Sequence, residues 1–199
     1  MGYTPVQIDI IYNFDGSAEQ LSRIGGTLSF SITADLMSFD PATNKAHARL
    51  TVDFNWTTQP LVKFTDIIGI AWNGPMTRTA QVASIQYVHM STGGSSYYDP
   101  NCAQVVNPSG PLNAGVGLTI PMRGSGVNFD THYAKSGMFR VILETQGHLN
   151  FAAYAAYGHK TLNLLGGPSL SIPGGLSISF SPSIEISTEG QDWTQPVYI

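Results

Sequence analysis

The side chains best suited to moving protons or binding a metal near neutral pH are the five histidines, His47, His89, His132, His148 and His159. His148 and His159 look paired, because each directly follows a glycine. A strand would hold them about 36 Å apart and a helix about 16 Å, so the two cannot share one metal ion either way. Both are read as strand-end histidines bonded to backbone. His47 falls beside Arg49 and Asp53 on the polar face of a strand and is expected at the surface. Asn13-x-Asp15-Gly16-Ser17 alternates short oxygen side chains before a glycine, as a calcium loop does at its opening. The closing bidentate glutamate is missing, so the stretch reads as a turn. Asp99-Pro100-Asn101 reads as a turn as well. Cys102 is the single cysteine, which excludes an internal disulfide and a cysteine-built zinc site. No metal and no other cofactor is expected.

Nucleophile and phosphate-binding signatures are missing too. The chain holds no G-x-S-x-G, no H-E-x-x-H, no G-x-x-x-x-G-K, and no G-x-G-x-x-G between a strand and a helix. A non-catalytic protein is therefore expected. What remains is recognition by aromatic faces, which stack on pyranose rings. Tyr97, Tyr98, Trp72 and Trp193 are the candidates. Tyr97 and Tyr98 fall in a predicted loop and are the first choice for a ligand-binding site, with Trp72 added. Asn55-Trp56-Thr57 is a glycosylation sequon, informative only in a secreted eukaryotic protein.

Composition narrows the partners. Charged residues make up 11% of the chain, less than half of the roughly 25% usual in soluble domains. Gly, Ser and Thr take their place, so little repulsion opposes contact between sheets or between chains. The nine Lys and Arg are scattered and form no stripe, which argues against nucleic acid. Hydrophobic residues at 42% exclude a disordered chain. No apolar run reaches the length of a membrane-spanning helix. Met1-Gly2-Tyr3-Thr4-Pro5 matches neither a signal peptide nor a myristoylation site, and is read as the start left after removal of a leader. The protein is expected to be secreted or at a cell surface.

The elements that would position these residues are strands. Period-two alternation marks 5–13, 27–38 and 46–56, the last two joined by the turn formers Asp40-Pro41-Ala42-Thr43-Asn44 into a hairpin. Residues 61–72 are more continuously apolar, as in a central strand covered on both sides. Further strands are expected at 81–90, 116–122 and 137–145. A long irregular loop spans 91–115, with a weak strand at 102–106. Residues 148–157 balance alanine-rich helix propensity against strand neighbours, and strand is preferred. The spacing of turn signals predicts one all-β domain over 1–199, an antiparallel β-sandwich of Ig-like or jelly-roll type with little helix.

The strongest pattern in the chain is 169–187. Leu170, Ile172, Leu176, Ile178, Phe180, Ile184 and Ile186 occupy even positions, and serines occupy most odd ones. Pro173-Gly174-Gly175 breaks the run, predicting a short strand, a turn and a longer strand. On one reading the apolar side covers a sandwich core and the serines meet water. On the other, this is an amphipathic hairpin that joins a membrane barrel, with Leu176, Ile178, Phe180, Ile184 and Ile186 on lipid. Leu176–Ile186 is long enough to span, but Ser169–Ile172 is not, and Pro182 interrupts the ladder. The leading functional expectation is a secreted or surface protein acting by contact, through self-assembly into a homo-oligomer, adhesion or protein binding. A pore-forming toxin using the hairpin and a carbohydrate-binding module are the alternatives.

Overall fold

The computed structural model describes residues 5–13, 26–89, 96–99, 103–107, 114–123, 132–147, 150–161, 167–173, 176–181, 186–195 and 197–198. One helix opens it, α1 (Pro5–Tyr12), and strands follow: β1 (Thr27–Asp40), β2 (Lys45–Thr58), β3 (Thr65–Trp72), β4 (Thr77–His89), β5 (Ser96–Asp99), β6 (Gln104–Val106) and β7 (Gly115–Pro121). Then come β8 (His132–Gln146), β9 (Asn150–Phe151), β10 (Ala153–Lys160), β11 (Ser169–Ser171), β12 (Ser179–Ser181), β13 (Ile186–Trp193) and β14 (Val197–Tyr198). The first sheet has the order β1-β2-β8-β4-β5 and the second β13-β10-β3-β7-β6. Every ladder within the two sheets is antiparallel. The fold is an all-β antiparallel sandwich.

The predicted hairpin forms in the register that its pattern requires. Ile32 pairs with Val52 and Phe30 with Phe54, so the even-numbered residues share one face along both strands until a bulge between Leu36 and Ser38 brings Phe39 opposite Ala46. The turn between them follows from its own chemistry. The Asp40 carboxylate accepts from the Thr43 hydroxyl at 2.7 Å and the Ala42 amide at 2.9 Å. Those bonds, Thr43 first, hold its pKa below the usual value. Asn44 takes the left-handed conformation, φ 53°, that asparagine tolerates better than most residues.

Leu50, Val52, Phe54 and Trp56 of the first sheet meet Ile68, Ile70, Val116, Leu118 and Tyr157 of the second, together with Phe151 of β9, in one buried core. Tyr157 is the aromatic pivot between the sheets. Its ring centroid lies 5.3 Å from Phe54, 5.7 Å from Trp56 and 6.1 Å from Phe30. Edge and tilted packing of this kind adds to plain area burial.

One strand expectation is overturned. Residues 5–13 alternate through Val6, Ile8, Ile10 and Tyr12, yet Pro5–Tyr12 is helical. Proline suits the first helical turn, the Ile10-Ile11 doublet breaks strict alternation, and the Asn13 amide closes the helix on the Asp9 carbonyl. Ile8 and Tyr12 remain exposed, so no sheet face was there to be covered. Within 91–115, expected as irregular loop with a weak strand at 102–106, β6 is that strand and β5 is an unexpected one, and the two extend the edges of the second and first sheets. The described part of 148–157 is strand, as expected.

Candidate functional site

The best-formed polar cluster lies inside the sandwich. Alternation turns Tyr157 and His159 of β10 inward, and β3 pairs antiparallel beside it. The Asp66 carboxylate accepts from the Tyr157 hydroxyl at 2.8 Å, from His159 Nδ1 at 2.9 Å and from the Lys160 amide at 3.0 Å. The His159 ring also packs edge-on against Trp56 at 5.3 Å. Burial, and then the adjacent Asp66 charge, push the Tyr157 phenol well above its usual pKa. A carboxylate, imidazole and phenol in line could relay protons. Both the Asp66 and His159 side chains are 0% exposed, however, so the chain meets no solvent-borne substrate. Its work is to bind β3 to β10. His159 lies near the end of β10, as its position suggested, and is a buried partner of a carboxylate 93 residues away.

The aromatic candidates separate. Trp72 is 2% exposed and donates from Nε1 to the Met76 carbonyl at 3.4 Å, so it offers no face to a ligand. Tyr97 is half-buried and stacks on Tyr87 at 5.2 Å and 11°, with His132 edge-on at 5.4 Å. His132 in turn faces its cross-strand partner His89 at 5.2 Å. Tyr98 pairs with Gln86 in the β4–β5 ladder. At the same end of β8, Lys63 is buried against the Tyr133 ring, 5.9 Å from its centroid. Burial, with the Arg123 charge adding to it, brings this amine down to about 8. Among the described residues no group of three or more His, Cys, Asp or Glu could hold a metal ion.

The 169–187 stretch forms a layer of its own. β11 and β12 pair with each other, Leu170 opposite Phe180 and serines on either side, and join neither five-stranded sheet. Their apolar face lies on the outer side of the second sheet. Leu170, Ile172 and Ile186 build a second small core there with Ile67 and Ala71, and Ile178 and Phe180 pack at its margin. Glycines inside the strands make room for it. A side chain on Gly69 would come within 2.9 Å of Ile178, and one on Gly158 within 2.7 Å of Ile186 and 3.0 Å of Phe180. Gly117 and Gly115 are pressed closer still by Leu170 and Ile172. Glycine within a strand marks such close approach. The serines at 169, 177, 179 and 181 are exposed, as the alternation predicted, and Leu176 is half-buried. The expected longer strand is cut short: Leu176–Ile178 lies outside any strand and β12 has three residues. Ile184 and Pro182 fall outside the described residues.

The outer side of the first sheet is different. Its rows set charged groups beside one another and beside apolar ones: Asp35 opposite Arg49, His47 opposite Glu144, Arg49 opposite Ile142 and Asp53 opposite Met138. Arg49 bonds Asp35 at 3.0 Å, Lys45 bonds Glu144 at 2.9 Å, and His47 joins the same carboxylate at 3.1 Å. The Lys45 bond, and then that of His47, hold Glu144 below its usual pKa. Val82 is exposed on this side, next to Arg140.

No family model and no characterised protein matches the sequence. Among solved structures, the chain is similar to the C-terminal domain of the AgI/II polypeptide BspA of Streptococcus agalactiae, with a TM-score of 0.43 and 6% identity over 84% of this chain and 48% of that one. It is also similar to the 35 kDa C-terminal fragment of the major pilin GBS80 of Streptococcus agalactiae, with a TM-score of 0.31 and 7% identity over 65% and 49%. A third likeness is to Clostridium perfringens delta-toxin, with a TM-score of 0.28 and 9% identity over 86% and 87%. The chain spans about half the length of each streptococcal structure. Likenesses this loose transfer no residue's role.

Proposed function

We propose that the protein acts by contact, outside the cell or at its surface, through the outer side of the first sheet. The observation that carries this reading is the asymmetry between the two outer faces. The second sheet's face is occupied by the chain's own ribbon, whereas β1, β2, β8 and β4 turn a broad face of paired opposite charges to solvent. Lys45, Arg49 and Arg140 are interspersed there with Asp35, Asp53 and Glu144, around exposed Val82. A mixed-sign, flat surface of this kind suits docking of another protein, including a second copy, and sets register more than raw affinity. The low overall charge fits the same purpose. The test is retention of labelled protein on immobilised wild-type chain and on intact cells, alongside sedimentation over a wide concentration range. Loss of binding in Val82→Lys or Arg49→Asp is expected. A chain that stays monomeric at high concentration and is retained by neither surface ends the reading.

A second reading is favoured by the ribbon. Its strands β11 and β12 pair with each other, join neither main sheet and are seated by side chains, so they can leave without breaking either sheet; Ile186, which opens β13 opposite Lys160, would have to unpair from the second sheet to follow. An amphipathic hairpin freed in that way would meet lipid with Leu176, Ile178, Phe180, Ile184 and Ile186 and water with its serines. Each strand would have to lengthen from three residues to about 9–11 to cross a bilayer. Dye release from liposomes decides it. No leakage over a range of lipid compositions and pH removes the pore.

A further inference from the structure

Trp193 stands apart from the other two tryptophans. Trp56 and Trp72 are 0% and 2% exposed, and Trp193 is 53% exposed. It sits on β13 directly opposite Tyr154 of β10, and the rings stack with centroids 4.2 Å apart at 29°. Tyr154 is buried and backs one face of the indole, leaving Trp193 as the outward part of a fixed two-ring platform. The Trp193 amide donates to Asp192 Oδ1 at 2.8 Å, and Asp192 Oδ2 accepts from the Ile32 amide at 2.9 Å. The strand that presents the indole is thereby tied to β1.

The surroundings define what the platform would take. The row across the second sheet reads Trp193, Tyr154, Ala71 and Gly115, and the next reads Gln191, Ala156, Gly69 and Gly117. Neither row carries a charge, and beyond β10 both run under Leu170, Ile172 and Ile178 of the ribbon, so their open part is Trp193 and Gln191. Gln191 is exposed on the same side of β13 as Trp193, about 7 Å along the strand, and offers both an amide donor and an acceptor. Among the described side chains along the strand, the exposed Thr188 and Gln195 are also uncharged hydrogen-bonding residues rather than the apolar rim of a protein hot spot. A flat aromatic face bordered by neutral amides and a hydroxyl fits a neutral ring that is apolar on one side and hydroxylated at its edge. We infer that the Trp193–Tyr154 stack with Gln191 is a binding site for a pyranose sugar of a neutral glycan. It lies on the second sheet and is independent of the contact face of the first.

The indole is its own reporter, since it is the accessible one among the three tryptophans. Wild-type protein is titrated with cellohexaose, chitohexaose, xylohexaose, mannohexaose and maltohexaose, following tryptophan emission and its quenching by iodide. At least one glycan is expected to shift emission to shorter wavelength and to reduce iodide quenching about twofold. For that glycan, Trp193→Ala should weaken binding about tenfold or more, the scale of one lost stacking contact. Trp193→Phe should recover part of the loss, and Gln191→Ala should weaken binding several-fold. Far-ultraviolet circular dichroism of each variant separates lost binding from lost fold. The inference is overturned if no glycan of the set alters emission or quenching. It is equally overturned if calorimetry finds a glycan held as tightly by a folded Trp193→Ala or Trp193→Phe as by wild type with no response from the indole.

Discussion

The two outer faces of this sandwich are built from the same alternating strands and end differently. On the second sheet, Gly69, Gly117 and Gly158 sit mid-strand where a side chain would normally stand, and the ribbon's Leu170, Ile178, Phe180 and Ile186 fill the space. On the first sheet the equivalent positions hold Asp35, Arg49, His47 and Glu144, each met by an opposite charge or hydrogen-bonding partner across the strand. A face that gives up its own side chains depends on being covered. A face that pairs its charges in place is stable while bare and is available to a partner. A carboxylate–histidine pair occurs both in the interior and on the outer side of the first sheet. Asp66–His159 is sealed, while Glu144–His47 is partly open to water, and the same chemistry has different consequences in the two settings.

Replacing those carboxylates should separate the two settings most widely. Asp66→Ala strands the Tyr157 hydroxyl, His159 and the Lys160 amide in the interior, and a loss of about 3–5 kcal/mol by urea unfolding is expected. Glu144→Ala should cost a small fraction of that, because water replaces the lost partner. Equal losses would show that exposure does not govern the difference.

Next in size is the glycine floor. Gly117→Ala should cost about 1–3 kcal/mol by overpacking against Leu170. Adding Leu170→Ala should recover part of it, whereas Thr51→Ala on the open face should change little. A double mutant whose losses simply add would mean that the two residues do not touch.

Lys63 supplies a pH-dependent test within the body. Its amine is held at about 8 against an ordinary 10.5, so the fold binds fewer protons than the unfolded chain between those values. Stability contributed at this site should rise as pH increases from about 8 to 10.5, and be lost as pH falls through 8. Lys63→Met should remove that slope and raise stability at pH 7. An unchanged slope would mean that the amine is solvated. The smallest effect belongs to the open face: Arg49→Ala should cost less than about 1 kcal/mol, and less again in high salt.

Periodicity carried most of the fold. The β1–β2 hairpin could be read from residues 27–56 because one face is buried and any slip in register would invert it. The apolar side of 169–187 was legible for the same reason, but its destination was not, since Gly69, Gly117 and Gly158 signal close approach only once their strands are paired. Gly158 looked like the end of a segment and lies within β10. The α1 error came from a short stretch with no tertiary face to enforce alternation. The sealed centre could not be read at all, because Asp66 and His159 meet only through strand pairing across 93 residues. Trp72 ends the apolar run Ile67–Ala71 and is interior, whereas Trp193 follows Glu189, Gln191 and Asp192 and is a surface platform, so local polarity already separates the two.

Thiol labelling compares the two faces directly. In a Cys102→Ser background, single cysteines at Leu170, Ser179 and Val82 are exposed to a small maleimide under native conditions. Cysteines at Val82 and Ser179 should react at rates close to that of a free thiol, and the one at Leu170 should be slowed about a hundredfold or more, in line with a side chain reached only by local opening of the ribbon. A Leu170 cysteine that labels as fast as the one at Val82 would contradict the covered face, and with it the asymmetry on which the contact reading rests.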